Sequence, residues 1–341
     1  FSFDSGEGSD ARSRNRSHTV RIISMDDKGN IAFSVCGYMN RGIHEGEVGN
    51  AIYYYDREQS IVEEKAFISS SKSPEAAEEE LGKMVYYSQE QDVLYVMAGG
   101  KLYQTDLKEE EQTVLAEGLT EEQYTLSEDG SRIAYQTASA EDGVNGIQVL
   151  DLQSGEGYTV EAADGETIRP LGFVNSDFVY GKARSEDSGT SPAGGEITPM
   201  YEVEIRSSHN KEQAKYAFTD QGLYITDILI EGNLLTLDRV QKDGDRYITA
   251  SPEYVTNNEE RQDTKLTLET YTTDIAGTEI RLTFADGIED TEPELTGADL
   301  VSEREPLELT FENDEDAGKF YAYGMGRLAA VSESAGEAVQ K

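Results

Sequence analysis

Two loops carry the polar residues best placed to meet another molecule. His44, Glu45 and Glu47 lie in a glycine-rich loop from Gly37 to Gly49, and Arg184, Glu186 and Asp187 stand at the start of a Ser-, Gly-, Pro- and Asp-rich loop that runs on to Pro199. Both loops are longer than a hairpin requires, which makes them candidate recognition surfaces. The chemistry these residues offer is ion pairing and hydrogen bonding to a partner. Bond-making chemistry has weaker support. There is no G-x-S-x-G elbow, so the hydrolase nucleophile signature is missing. The three histidines, His18, His44 and His209, stand in polar or loop settings and read as exposed. Cys36 follows Val35 in an apolar strand and reads as a small hydrophobe with no base beside it.

Metal chemistry is thinly supported as well. His44-Glu45-Gly46-Glu47 is not an H-E-x-x-H helix motif, and no Cys/His group has zinc spacing. Oxygen donors at Asp26–Asn30, Glu141–Gly143 and Asp243–Asp245 are where calcium could sit, but none follows the D-x-[DN]-x-[DN]-G loop. Asp-Gly pairs are also what β-turns need. No cofactor is therefore expected. A glycoside hydrolase with two carboxylates in a central cavity is the alternative reading. The chain has 20 Tyr and no Trp for stacking on a sugar.

What must position these residues is a repeated sheet unit, clearest from Leu126 to Glu156. Ser127-Glu128-Asp129-Gly130 is a tight-turn signal, with Asp bonding its own backbone and Gly accepting positive φ. Arg132 to Gln136 is a short β-prone run. Asn145-Gly146 is a hairpin signal. Ile147 to Leu152 reads as the partner strand, Ser154-Gly155-Glu156 as a further turn, and Tyr158 to Val160 as an outer strand. A turn S-x-D-G before an apolar strand, then a loop and a strand ending D-L-x-x-G, resembles the TolB-like or WD40-like β-propeller repeat. The matching positions are Ser127, Asp129, Gly130, Ile133, Ala134, Tyr135, Val149, Asp151, Leu152 and Gly155. The resemblance implies an all-β, propeller-like fold in a bacterial, exported protein, and it carries no activity with it.

Weaker copies flank this unit. Apolar central strands begin at Ile31, Val93, Ile133, Phe178 and Leu234, so five units are visible, and a 341-residue chain has room for about seven. One short helix is expected between the first two units, from Ser73 to Met84. Ser73 reads as the N-cap, Pro74 suits the first helical position, and Glu75, Glu78, Glu79 and Glu80 are expected toward the start of the helix dipole. Residues 1–17 read as a polar leader and residues 18–260 as propeller repeats. Residues 261–341 read as the last blades closing the ring, with Thr19–Ser24 pairing the C-terminal strands, or as a small α+β domain cut short.

Charge narrows the partners. Asp and Glu number 68 against 29 Lys and Arg, a net charge of −39. Such a surface repels nucleic acid and anionic membranes and favours solubility. A single cysteine excludes an internal disulfide. No apolar run approaches the roughly 18 residues of a membrane helix. The start at Phe1 reads as a mature or truncated piece, with an anchor or signal removed upstream. The expectation is a non-enzymatic, extracytoplasmic or surface-anchored module that binds a protein, peptide or small ligand through its loops.

Overall fold

The computed structural model describes residues 18–26, 28–39, 42–138, 145–256, 266–273, 277–284, 300–302, 306–311, 320–324, 327–332 and 334–340. The leader lies outside these residues. Four-stranded antiparallel meanders follow one another along the chain. Strands β1 (His18–Met25), β2 (Ile31–Tyr38), β3 (Val48–Asp56) and β4 (Ile61–Ser70) form the first. The second is β5 (Val85–Ser88), β6 (Val93–Ala98), β7 (Lys101–Asp106) and β8 (Glu111–Ala116). The third is β9 (Tyr124–Leu126), β10 (Arg132–Ala138), β11 (Asn145–Asp151) and β12 (Gly157–Glu161).

The fourth unit begins with β13 (Glu166–Val174) and β14 (Asp177–Arg184). Two short strands, β15 (Gly189–Thr190) and β16 (Glu196–Ile197), lie in the loop after them, and β17 (Met200–Arg206) and β18 (Glu212–Ala217) complete the unit. The fifth pairs β19 (Leu223–Glu231) with β20 (Leu234–Asp243). Its third strand is broken into β21 (Arg246–Thr249) and β22 (Glu253–Thr256), each pairing one half of β20.

These units stack face to face, and the side-chain alternation of each central strand shows how. Strand β6 is buried at every position. Its Leu94, Val96 and Ala98 pack with Ala32, Ile52 and Tyr54 of the first unit. Its Val93, Tyr95 and Met97 face the other way, onto Ile133, Tyr135 and Leu150 of the third. A period of two sends neighbouring residues to opposite faces, so one strand serves two interfaces. The same logic joins the third unit to the fourth, where Ala134 and Val149 meet Phe178 and Tyr180, and the fourth to the fifth, where Val203 and Ile205 meet Leu235 and Leu237. Successive meanders with a core between each pair are the blades of an all-β, propeller-like fold.

Turn chemistry repeats with the blades. The turn between first and second strands holds a left-handed residue in all five units: Gly29, Asp92, Gly130, Asn175 and Gly232. The turn between third and fourth strands holds one at Ser60, Glu110, Gly155 and Asn210. In three of these turns an aspartate caps the backbone that follows: Asp56 accepts from Gln59 N, Asp106 from Lys108 N and Glu109 N, and Asp151 from Gln153 N and Ser154 N. In the S-x-D-G turn, Ser127 Oγ donates to Asp129 Oδ1 at 2.6 Å and accepts from Arg132 N at 2.9 Å.

One expectation needs correcting. Asn145-Gly146 is not a turn but the start of β11, opposite Ala138 and Thr137. A Cβ on Gly146 would stand 2.7 Å from Thr137 Oγ1, so the glycine serves close strand approach. Among the described residues β1 pairs only β2, while β25 (Leu300–Ser302) and β26 (Leu307–Leu309) pair in parallel with β4. Elsewhere in the C-terminal part, β23 (Leu266–Thr273) pairs β24 (Gly277–Phe284), and β27 (Phe320–Gly324) pairs β28 (Arg327–Ser332), ahead of a short helix at Ala335–Gln340.

The inserted helix, α1, spans Pro74–Leu81. Ser73 Oγ accepts from Ala76 N, as an N-cap should. Its buried Ala77 and Leu81 pack one face on the sheets, and Glu75 and Glu79 on the other face are exposed. Its last carbonyls are met from the first blade, Leu81 O by Asn50 Nδ2 and Gly82 O by Arg21.

Candidate functional site

In an antiparallel meander the first and third turns lie at one end of the sheet and the second turn at the other. Both sequence-predicted loops are second turns. They therefore share one face, and the first and third turns form the opposite face.

The structure places the predicted loop residues as follows. His44 is buried, 6% exposed, against the expectation of an open loop. Its ring stacks on Phe67 at 3.7 Å between centroids, and Nε2 lies 2.7 Å from Glu64 Oε1. Apolar Phe67 supplies the flat surface and Glu64 the polar partner, neither of which is adjacent in sequence. Glu47 Oε2 lies 3.9 Å from His44 Nδ1, and Glu45 and Glu47 are exposed. Arg184 stacks its guanidinium over Tyr201 at 3.8 Å and pairs with Glu166 at 3.6 Å. Glu186 is exposed. Asp187 is 7% exposed and accepts from Tyr224 Oη at 2.9 Å and Lys242 Nζ at 3.0 Å, while its carbonyl accepts from Tyr247 Oη at 2.6 Å.

The loop from Ser185 to Pro199 is thus a strap. Strands β15 and β16 pair each other, Thr190 pairs Arg246 of β21, and Thr190 N donates to Asp245 O. Gly189 is required here, because a Cβ would stand 2.9 Å from Asp245 O and from the Tyr247 ring. Arg184 and Asp187, three positions from one another, serve separate contacts, and the Gly37–Gly49 loop belongs to a different blade.

A cavity of about 500 Å³ opens on the opposite face. It lies where the innermost strands of three consecutive blades end: Leu126 and Glu128 on and after β9, Leu171 to Asn175 on and after β13, and Ile228 to Gly232 on and after β19. Leu126, Leu171, Phe173, Ile228 and Ile230 make an apolar lining, each half-buried. Exposed Glu128, Asn175 and Glu231 form its polar rim. The register of β13 slips between Pro170 and Gly172. Gly172 takes a φ of 156°, and a Cβ there would meet Ile230 Cδ1 at 2.7 Å. The glycine lets Ile230 lie against the β13 backbone and shapes the floor.

Behind this face the fourth blade holds a buried charge network. Glu204 has no exposed surface. Its carboxylate accepts from Lys182 Nζ at 2.6 Å and Arg206 Nε at 2.7 Å, and Lys182 also reaches Glu202 at 2.7 Å. Burial alone would raise the Glu204 carboxyl; Lys182, Tyr180 and Arg206 outweigh it and hold the group below its usual value. Burial alone would lower the Lys182 ammonium, and Glu202 and Glu204 carry it well above. The network is arranged to hold two strands in register. Cys36 is buried, and its thiol is pushed up to about 12 by that burial, which keeps it unreactive.

In the acidic turn at Asp26–Asn30, Asp26 is engaged by Lys28 N, Asn30 N and Asn30 Nδ2. Glu141–Gly143 lies outside the described residues. Among the described residues no three His, Cys, Asp or Glu side chains are grouped to hold a metal. No described helix is long and apolar enough to cross a membrane.

No protein-family model and no curated protein matches the chain. Solved structures resemble it at low identity. The β-propeller domain of the Trilobed protease from Pyrococcus furiosus is 9% identical with a TM-score of 0.30, over 75% of this chain and 76% of that one. The tricorn protease is 14% identical with a TM-score of 0.31, and 66% of this chain spans only 24% of it. Oligogalacturonate lyase in complex with manganese is 11% identical with a TM-score of 0.25, over 78% and 96% of the two chains. None of them transfers a residue role or an activity to this chain, and its fold rests on the strand pairing and blade stacking above.

Proposed function

We propose that the protein is a non-enzymatic binding module, and that it takes a peptide segment of a protein partner at the face where β9, β13 and β19 end. The observation that carries this is the composition of the 500 Å³ cavity, an apolar floor from three blades under a rim that includes Glu128 and Glu231. Such a surface suits one apolar side chain flanked by Lys or Arg. The apolar anchor leaves water, and the basic neighbours find carboxylates. Residues on the rigid ends of inner strands need little ordering on binding, which saves the entropy that mobile loops lose.

The net charge of −39 favours the same kind of partner, because long-range attraction steers a basic segment to an acidic surface. An extracytoplasmic setting belongs to this reading as a proposal.

Selection of a random peptide library on the immobilised protein tests it. Recovered peptides should share an apolar residue beside Lys or Arg and should lose at least about tenfold in affinity for the Glu128→Lys, Glu231→Lys double variant. Peptides without that pattern, or peptides that bind the double variant equally well, would remove this assignment.

A further inference from the structure

A second cavity, of about 300 Å³, lies between the first two blades on the same face as the first. Tyr54, Asp56, Glu63 and Lys65 line it from β3 and β4, and Tyr87 and Asp92 line it from the second blade. Most of these groups are satisfied. Lys65 Nζ pairs with Glu63 at 2.6 Å, Tyr87 Oη donates to Asp92 Oδ1 at 2.7 Å, and Asp56 accepts from Gln59 N and Nε2. Tyr54 is the exception. It is 8% exposed, and its buried hydroxyl has no hydrogen-bond partner. An unmet buried hydroxyl destabilises the empty protein, so it marks a place where a ligand atom would be favoured.

The chemistry around it selects the ligand. Three carboxylates stand against one ammonium. The rings of Tyr54 and Tyr87 meet edge to face at 6.0 Å, and Lys65 Nζ already lies 5.8 and 5.9 Å from their centroids. The site thus accepts an ammonium of the protein's own over the same two rings, and excess negative charge remains. An ammonium carries three donors, and the Tyr54 oxygen and the carboxylates are acceptors.

We infer that this cavity is a binding site for an alkylammonium group, with Tyr54 accepting one of its hydrogen bonds and Asp92 and Asp56 balancing its charge. The site is independent of the peptide surface proposed above, because it is built from different blades. The ammonium could belong to a free amine or to a lysyl side chain, and both carry the same recognition chemistry.

The test is titration of the full chain with n-butylammonium and, separately, with Nα-acetyl-lysine methylamide, followed by calorimetry and by thermal unfolding at physiological salt. Both probes should bind saturably, and n-butanol and butyrate should not. Tyr54→Phe should weaken binding about fivefold, and Asp92→Asn about tenfold. Without probe, Tyr54→Phe should melt at or above the wild-type temperature, since it deletes only an unpaired hydroxyl. That keeps the test free of folding failure. A tighter fit for the lysyl probe assigns a protein source, and a tighter fit for the amine assigns a free one. Equal affinity of wild type and both variants, or equal binding of butanol, would overturn the inference and leave only general attraction of cations to an acidic chain.

Discussion

Glu204 shows what a single buried charge does in this fold. It lies fully buried on β17 between Lys182, Arg206 and Tyr180. Glu204→Gln would leave two cations short of their counter-charge, and a loss of about 3 kcal/mol is expected. The pH dependence follows from the direction of the shifts. The folded carboxyl titrates below its ordinary value of 4.5, so its contribution is complete above that value and disappears as pH falls through the depressed one. Lys182 titrates above its ordinary value of 10.5, so its contribution is complete below that value and disappears as pH rises through the raised one. Urea unfolding of wild type and Glu204→Gln should show a constant gap near neutrality that closes below pH 4.5. A gap that persists unchanged to pH 2 would mean the network does not act through charge.

At the scale of the element, the positive-φ positions of the turns hold each blade's geometry. Glu110 and Gly130 occupy equivalent backbone conformations with unequal fitness, because a Cβ is strained there. Glu110→Gly should raise stability by roughly 0.5–1 kcal/mol, and Gly130→Ala should lower it by about 1–2 kcal/mol, both measured by denaturant midpoint. Asp187 gives a different kind of test. Asp187→Ala removes the acceptor for Tyr224 and Lys242, so hydrogen exchange should quicken in residues 185–199 and around β21 while blades one to three stay protected. Uniform quickening across all blades would show that the strap is not a local device.

These elements also mark what the sequence made legible. The starts of the central strands, the inserted helix and the S-x-D-G turn were readable because local turn chemistry and period-two alternation determine them. The strap was not, because β15 and β16 are two residues each and exist only through pairing with each other and with Arg246. The burial of His44 was hidden for a similar reason: Phe67 and Glu64 reach it from another strand. The cavity was least legible. Its apolar lining looks like ordinary strand sequence, and it becomes a site only when three blades bring their inner strands together. The one available hint was Gly172, a glycine inside a strand pattern.

At the scale of the whole molecule, the blades divide the surface into two ends. One carries the second-turn loops, partly committed to holding blades together. The other carries both cavities and the first and third turns. A net charge of −39 surrounds them, so association with a basic partner should slow and weaken as salt rises. The most direct test of the account is hydrogen exchange mapping of a peptide selected on this protein. Protection is predicted at Leu171–Asn175 and Ile228–Gly232, and the Glu128→Lys, Glu231→Lys variant should abolish it. Protection confined to residues 42–47 or 185–199 would contradict the account and return recognition to the opposite face.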